Sequence, residues 1–246
     1  MSLSKKSTWL TKANTGLIVI ALVVFVLAAL SGTGYANEWW DVRTAFALLR
    51  YAAFTSFALI AIAVLTLWGF AFAKARRDGQ MARTVISAVL FLGVLGFSAN
   101  ILNQVQTARS VPPIHDVTTD LEDIPQYTKL NPQNPNAENW ELLHRAGYAD
   151  LQPLELDMSV ADVIAKAEKA SEAFGWEVAV ADAENGRLEV TETTQWFQFK
   201  DDLVLRVRAT EGGGSQVDAR SVSRFAGSDI GVNAARIRKL FAAIQE

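Results

Sequence analysis

The chain has 246 residues, no cysteine, and only two histidines, His115 and His144. Without cysteine no disulfide can brace the fold, and no thiolate is available as nucleophile or metal ligand. With two histidines, the usual nucleophile–base pairs are few. No nucleophile elbow and no Ser–Lys pairing is present either. Charge is missing from three long stretches, Ala13–Asn37, Tyr51–Ala73 and Thr84–Ala108. Ionisable residues inside a span are the usual mark of a transport pathway. Their absence here disfavours a transporter or channel.

Those uncharged stretches are the dominant positive signal. A bilayer core needs about 20 apolar residues as helix, and each stretch exceeds that. The sequence therefore predicts three membrane-spanning helices within residues 1–111. Arg50 lies at the edge of a run, where its head can reach the interface. Trp9, Tyr35, Trp39, Trp40 and Trp68 fall near run ends, as amphipathic rings do at the headgroup layer. Gly93 and Gly96 do not match the GxxxG spacing, so no particular helix partner is implied.

Orientation follows from Lys and Arg in the short loops. The N-terminal tail carries Lys5, Lys6 and Lys12, and the second connector carries Lys74, Arg76, Arg77 and Arg83. The first connector offers only Arg43, with Arg50 just beyond it. This predicts a multi-pass protein of the cell (inner) membrane with a cytoplasmic N-terminus and an extracytoplasmic, periplasmic C-terminal domain. The competing reading of the first run is a cleaved signal peptide ending at Gly34-Tyr35-Ala36, but the run is longer than a typical h-region of about 7–15 residues. The downstream topology is the same either way.

The net charge of -3 hides a split. Up to Val111 there are 10 basic and 3 acidic residues, and beyond it 13 and 23. The acidic half disfavours nucleic acid as a partner. Five of the six prolines lie in residues 112–135, with Asp116, Asp120, Glu122 and Asp123. This stretch reads as an acidic, proline-rich linker, and the soluble domain as residues 136–246. His115-Asp116 and the neighbouring carboxylates suggest a metal or acid–base site only superficially. A linker is poor scaffolding for converging ligands, and the spacing fits no EF-hand loop. No metal and no cofactor are expected.

Within the domain, Asn136 is placed to cap a short helix through Trp140, Leu143 and His144 that ends at Gly147. His144 reads as a half-buried surface residue. Ser159 and Asp162 open a second helix with a capping-box-like start, and Val160, Val163, Ile164, Ala167, Ala170 and Phe174 form its apolar stripe up to Gly175. Strands at 176–183 and 187–194 flank Asn185-Gly186, and strands at 202–210 and 215–224 flank Gly212-Gly213-Gly214. Leu203, Leu205 and Val207 share one face, Val204, Arg206 and Arg208 the other. Ile230, Ala234, Ile237, Phe241 and Ile244 make the closing helix amphipathic. The pattern gives an α+β two-layer domain with an antiparallel sheet of about four strands. Trp196-Phe197-Gln198-Phe199 reads as core or edge packing rather than a ligand-stacking platform.

Several blocks of this half carry a resemblance. They are Val111-Pro-Pro-Ile-His-Asp-Val-Thr-Thr-Asp120, Phe199-Lys-Asp-Asp-Leu-Val-Leu-Arg-Val-Arg208, Val217-Asp-Ala-Arg-Ser-Val-Ser-Arg224 and Gly227-Ser-Asp-Ile-Gly-Val-Asn-Ala-Ala-Arg-Ile-Arg238. Together they resemble the DUF1499 family over essentially the whole soluble half. The resemblance implies a domain often attached to bacterial membranes and also seen in plant chloroplast proteins. It implies no activity and no catalytic residues.

The arginines make the one candidate site. Arg206, Arg208, Arg220 and Arg224 fall on adjacent predicted strands, and like charges across a sheet repel. The ladder needs carboxylates between the guanidiniums, with Asp218, Glu189 and Asp229 the obvious sources, or an anion above them. Gly227-Ser228-Asp229 opens a helix whose free N–H groups suit an anion, though Asp229 competes for them. Asn233 and Arg236 follow at helical spacing. The speculative anion site is therefore Arg206, Arg220, Arg224, Ser228, Asp229, Asn233 and Arg236, weighed against an internally paired charge lattice. The resulting expectation is a membrane-anchored extracytoplasmic binding or scaffold module in cell-envelope maintenance. Its partners would be the lipid bilayer and an envelope protein or anionic small molecule. The alternatives are a hydrolase acting on an envelope substrate and an accessory subunit of a membrane complex.

Overall fold

A computed structural model describes residues 3–67, 81–225 and 227–246. Trp68 and the connector cations Lys74, Arg76 and Arg77 lie outside the described residues. The chain divides into two compact units, Met1–Val105 and Gln106–Glu246.

The first unit holds helices α1 (Leu3–Ala36) and α2 (Val42–Leu67) and most of α3 (Met81–Ser110). Each contains a stretch long and apolar enough to cross a membrane: Thr15–Ala36, Val42–Ile62 and Ala88–Ser110. Where the helices meet, the buried side chains are mostly small, with Ala21, Ala28, Ala52 and Ser56 among them. Small residues let helix backbones approach where lipid tails offer no hydrophobic drive to association. The Ser56 and Ser98 hydroxyls join α2 to α3 at 2.9 Å. A Cβ on Gly93 would meet the tip of the Phe25 ring at 2.8 Å. Val19, Val23, Phe54, Val89 and Leu92 point outward and exposed, as lipid-facing side chains do. Between α1 and α2 the Trp40 indole N–H donates to the Ser31 carbonyl at 3.2 Å.

The second unit is an α+β domain. Its elements are β1 (Asp116–Thr118), α4 (Trp140–Gly147), β2 (Leu154–Leu156), α5 (Val160–Ala173), β3 (Glu177–Asp182), β4 (Arg187–Thr193), β5 (Lys200–Ala209), β6 (Ser215–Ser223) and α6 (Val232–Gln245). The sheet is antiparallel with the order β1-β6-β5-β4-β3, and β2 pairs with β6 beyond the end of β1. It has six strands rather than about four, because β1 and β2, three residues each, are too short to show a period in sequence.

The α5 start forms as its sequence indicates: the Asp162 N–H donates to Ser159 Oγ at 3.2 Å. Gly186 turns the β3–β4 hairpin at φ +62°, and a Cβ there would lie 2.1 Å from the Val207 carbonyl. Helices α5 and α6 cover one sheet face. Ile164, Leu188, Leu203, Leu205, Ile237, Leu240 and Ile244 are fully buried between the layers.

The expected linker is corrected by the structure. Residues 112–135 are part of the domain: Asp116 to Thr118 form β1 against β6, and the segment after it straps across the sheet face opposite the helices. Its prolines suit an extended path, and its carboxylates meet the arginines below. The short helix begins at Trp140 with Asn139 at its N-cap, and Asn136 instead donates to Asp116 Oδ2 at 2.7 Å.

Candidate functional site

Pairing register decides which charged residues meet. Val204 sits opposite Arg220 and Arg206 opposite Asp218, so Asp202, Arg206, Arg208, Asp218, Arg220 and Arg224 share the strapped face. Asp201, Ser221 and Ser223 alternate onto the helix face. The residues expected to form one anion site are therefore divided by the sheet. Arg206, Arg220 and Arg224 lie on one side, Asn233 and Arg236 on the other.

On the strapped face each guanidinium has carboxylate partners. Arg220 grips Asp116 through Nε–Oδ1 at 3.0 Å and Nη2–Oδ2 at 2.7 Å. Arg224 grips Asp202 in the same two-pronged way, at 2.8 and 2.9 Å. Arg206 reaches Asp120, Asp123 and Asp218 at 3.1, 2.9 and 3.2 Å. Arg208 shares Asp218 at 2.7 Å and Asp123 at 3.2 Å. Bidentate geometry makes such pairs both strong and directional. The Tyr127 hydroxyl donates to the Asp202 carbonyl at 2.9 Å, and the Arg220 guanidinium lies 5.7 Å from the centre of its ring.

Glu189 plays a different part from the one expected of it. It is fully buried and accepts from Thr128 N and Oγ1 at 2.5 and 2.6 Å and from Lys129 N and Leu130 N at 3.0 and 2.8 Å. Burial alone would raise its pKa, but the donors from Thr128, Leu130 and Lys129 hold it below the ordinary value. The strap thus folds a nest of N–H groups around a carboxylate supplied by the sheet. Two atoms of the lattice, Arg206 Nε and Asp218 Oδ1, are buried without a partner among the described residues.

On the helix face, Arg236 is buried and contacts Glu192 and Asp201 at 2.7 Å each and Ser221 Oγ at 3.0 Å, with a short contact to Asn233 Oδ1. Asn233 Nδ2 donates to the His115 carbonyl at 2.8 Å and to Ser223 Oγ at 3.0 Å. Asp229 occupies the start of α6, accepting from Gly231 N at 2.9 Å and Asn233 N at 2.7 Å. Burial pushes its pKa up. The competition expected at that helix start is therefore won by the protein's own carboxylate. Ser228 Oγ accepts from Ile230 N at 3.4 Å.

Helix α4 closes the outer edge of β1. Thr118 N donates to His144 Nε2 at 3.0 Å and Trp140 Nε1 donates to the Asp116 carbonyl at 2.7 Å. Residues i and i+4 of one helix face thus take up two backbone groups on the outer edge of β1. His144 is fully buried rather than half-exposed. Accepting at Nε2 places its proton on Nδ1, which has no partner among the described residues. Burial lowers its pKa, with Asp116 and the Thr118 bond opposing the shift. Beside β1 an open cleft of about 260 Å³ is lined by residues including His115, Asn134, Asn136, Trp140 and Gly227.

A family model described as "Protein of unknown function (DUF1499)" matches residues 116–244, which is more than half of the chain. The chain belongs to the DUF1499 family. The match opens at Asp116, the first carboxylate of the strap, so the DUF1499 unit includes the strap and its charges. A search of curated proteins found no match.

Sequence reasoning missed Asp116, Asp202 and Asp201 as the main partners of Arg220, Arg224 and Arg236. The usable signal was the run of carboxylates at 116–123 facing a predicted strand face of four arginines.

Proposed function

We propose that the chain is a membrane-anchored module that displays its DUF1499 domain outside the cytoplasm as a binding or scaffold element of the cell envelope. The observation that carries this reading is the pairing of Arg206, Arg208, Arg220 and Arg224 with Asp116, Asp120, Asp123, Asp202 and Asp218, so that their charge serves to lock a strap rather than to hold an anion. A hydrolase needs a carboxylate free to trade a proton with substrate, whereas Asp116, Asp202 and Glu189 are each filled by guanidinium or N–H donors. The basic tail and second connector support an inside N-terminus and an outside domain.

Two measurements test the proposal. The melting temperature of the full chain in detergent should not move with phosphate or sulfate at fixed ionic strength. A ligand bound only to the native state would raise it, so a rise that Arg220→Ala abolishes would restore the anion site. A C-terminal alkaline phosphatase fusion should be active, and an inactive fusion of a stably expressed chain would reverse the orientation.

A further inference from the structure

Four aromatic rings form one continuous stack at a corner of the sheet. Trp196 meets Phe197 edge-on at 5.0 Å, Phe197 stacks on Phe199 at 5.1 Å, and Phe199 stacks on Phe225 at 5.5 Å. None of the four belongs to the hydrophobic core between sheet and helices. Trp196 and Phe225 are 41% and 40% exposed, and Lys200 beside Phe199 is exposed too. Phe197 is buried, as packing requires, while Trp196 and Phe225, at the two ends of the stack, present part of their surface to the outside.

Register places this corner. Ser223 N bonds the His115 carbonyl and Arg224 N bonds the Lys200 carbonyl, so Phe199 and Phe225 stand at the end of the sheet where β1 begins. Helix α3 ends at Ser110 and β1 starts at Asp116. A fully extended chain over that interval spans about 20 Å. The aromatic corner is therefore at the end of the domain tethered to a membrane-crossing helix, and chain length alone keeps it within reach of the headgroup layer. Indole and phenyl rings flanked by a lysine are the side chains that settle in that layer.

We infer that the Trp196–Phe225 corner is a second membrane contact, an interfacial anchor by which the domain lies against the lipid headgroups. The inference rests on the membrane-anchored reading above and adds to it a point of lipid contact on the domain itself.

The absence of native cysteine makes the test direct. Single-cysteine variants of the full chain, Gln195→Cys beside the corner, Glu211→Cys in the turn at the opposite end of the sheet, and Phe54→Cys on α2, are labelled with an environment-sensitive fluorophore. They are reconstituted in vesicles of phosphatidylethanolamine and phosphatidylglycerol. Shallow nitroxide lipids should quench the Gln195 site several-fold more than the Glu211 site, and aqueous iodide the reverse. Adding Trp196→Ser and Phe225→Ser, both at exposed positions, should return the Gln195 site to the Glu211 level without a change in melting.

Equal quenching at the two sites, or lipid quenching that survives loss of the rings, overturns the inference. So does protection of Gln195 in native membranes but not in pure lipid, which would assign the corner to a protein partner. Lack of lipid quenching at Phe54 would instead overturn the membrane reading itself.

Discussion

Asp116 and Arg220, far apart in sequence, form a two-bond carboxylate–guanidinium pair beneath the strap, with Nη2–Oδ2 at 2.7 Å. Asp116 is 1% exposed. Removing one partner of a buried pair leaves the other charge stranded, at a cost of about 3–5 kcal/mol. Arg220→Ala should therefore lower stability by that order. Arg208→Ala should cost far less, because Arg208 is half-exposed and Asp218 keeps Arg206. Chemical denaturation of the two variants would show the difference, and equal small losses would mean the Asp116 pair is not buried as described.

The strap decides where a folding fragment must start. Residues 106–246 contain β1 and the carboxylates that neutralise the arginine face. A fragment starting at Gln106 should unfold in a single cooperative transition. One starting at Asn136 lacks β1, the nest around Glu189, the Asp116 partner of Arg220 and two of the three carboxylates that hold Arg206, and should show no cooperative transition. Identical melting curves for both fragments would return the strap to the status of a linker.

His144 gives the fold an acid-sensitive joint. Its folded pKa lies below the unfolded value because burial disfavours the imidazolium. The native state then binds fewer protons than the unfolded chain, so the contribution is complete above the unfolded pKa of about 6.5 and is lost as pH falls through the folded value. His144→Gln keeps an acceptor for Thr118 N–H and removes the titration. Wild-type stability should fall relative to this variant as pH drops from neutrality, read by denaturant midpoints. Parallel curves would exclude the role.

On the closing helix, Ile237 is fully buried and Phe241 only partly so. Ile237→Ala should cost about 2–5 kcal/mol, in the range for buried aliphatic truncations, and more than Phe241→Ala. Lys239 lies 3.7 Å from the centre of the Phe174 ring and 5.4 Å from that of Trp176. Lys239→Ala should consequently remove about 0.5–1 kcal/mol of cation–π attraction, whereas Lys239→Arg should retain most of it. Thermal melts of the three Ala variants order the effects, and a neutral Lys239→Ala would contradict the ring contact.

Local signals carried much of this domain. The Ser159 cap, the Asn185-Gly186 turn and the alternation of Leu203, Leu205 and Val207 each form as their sequence spacing indicates. They are legible because each is decided by residues a few positions apart. The pairing of β1 with β6 is not, since proline content marked its neighbourhood as a linker and three residues show no period. The division of the candidate site was within reach. Ser221 and Arg220 are adjacent, so a strand must send them to opposite faces, and Asn233 and Arg236 pack on Ser221. Helical spacing from Asp229 instead suggested one continuous stripe.

A double-mutant cycle on Asp116→Asn and Arg220→Met tests most directly whether the arginine face is a structural lattice closed by the strap. The two single variants should each be strongly destabilised, and the double variant should lose clearly less than their sum, with a coupling above about 1 kcal/mol for residues in contact. Additive losses, or an Arg220→Met variant as stable as wild type, would contradict the lattice and reopen the face to an external anion.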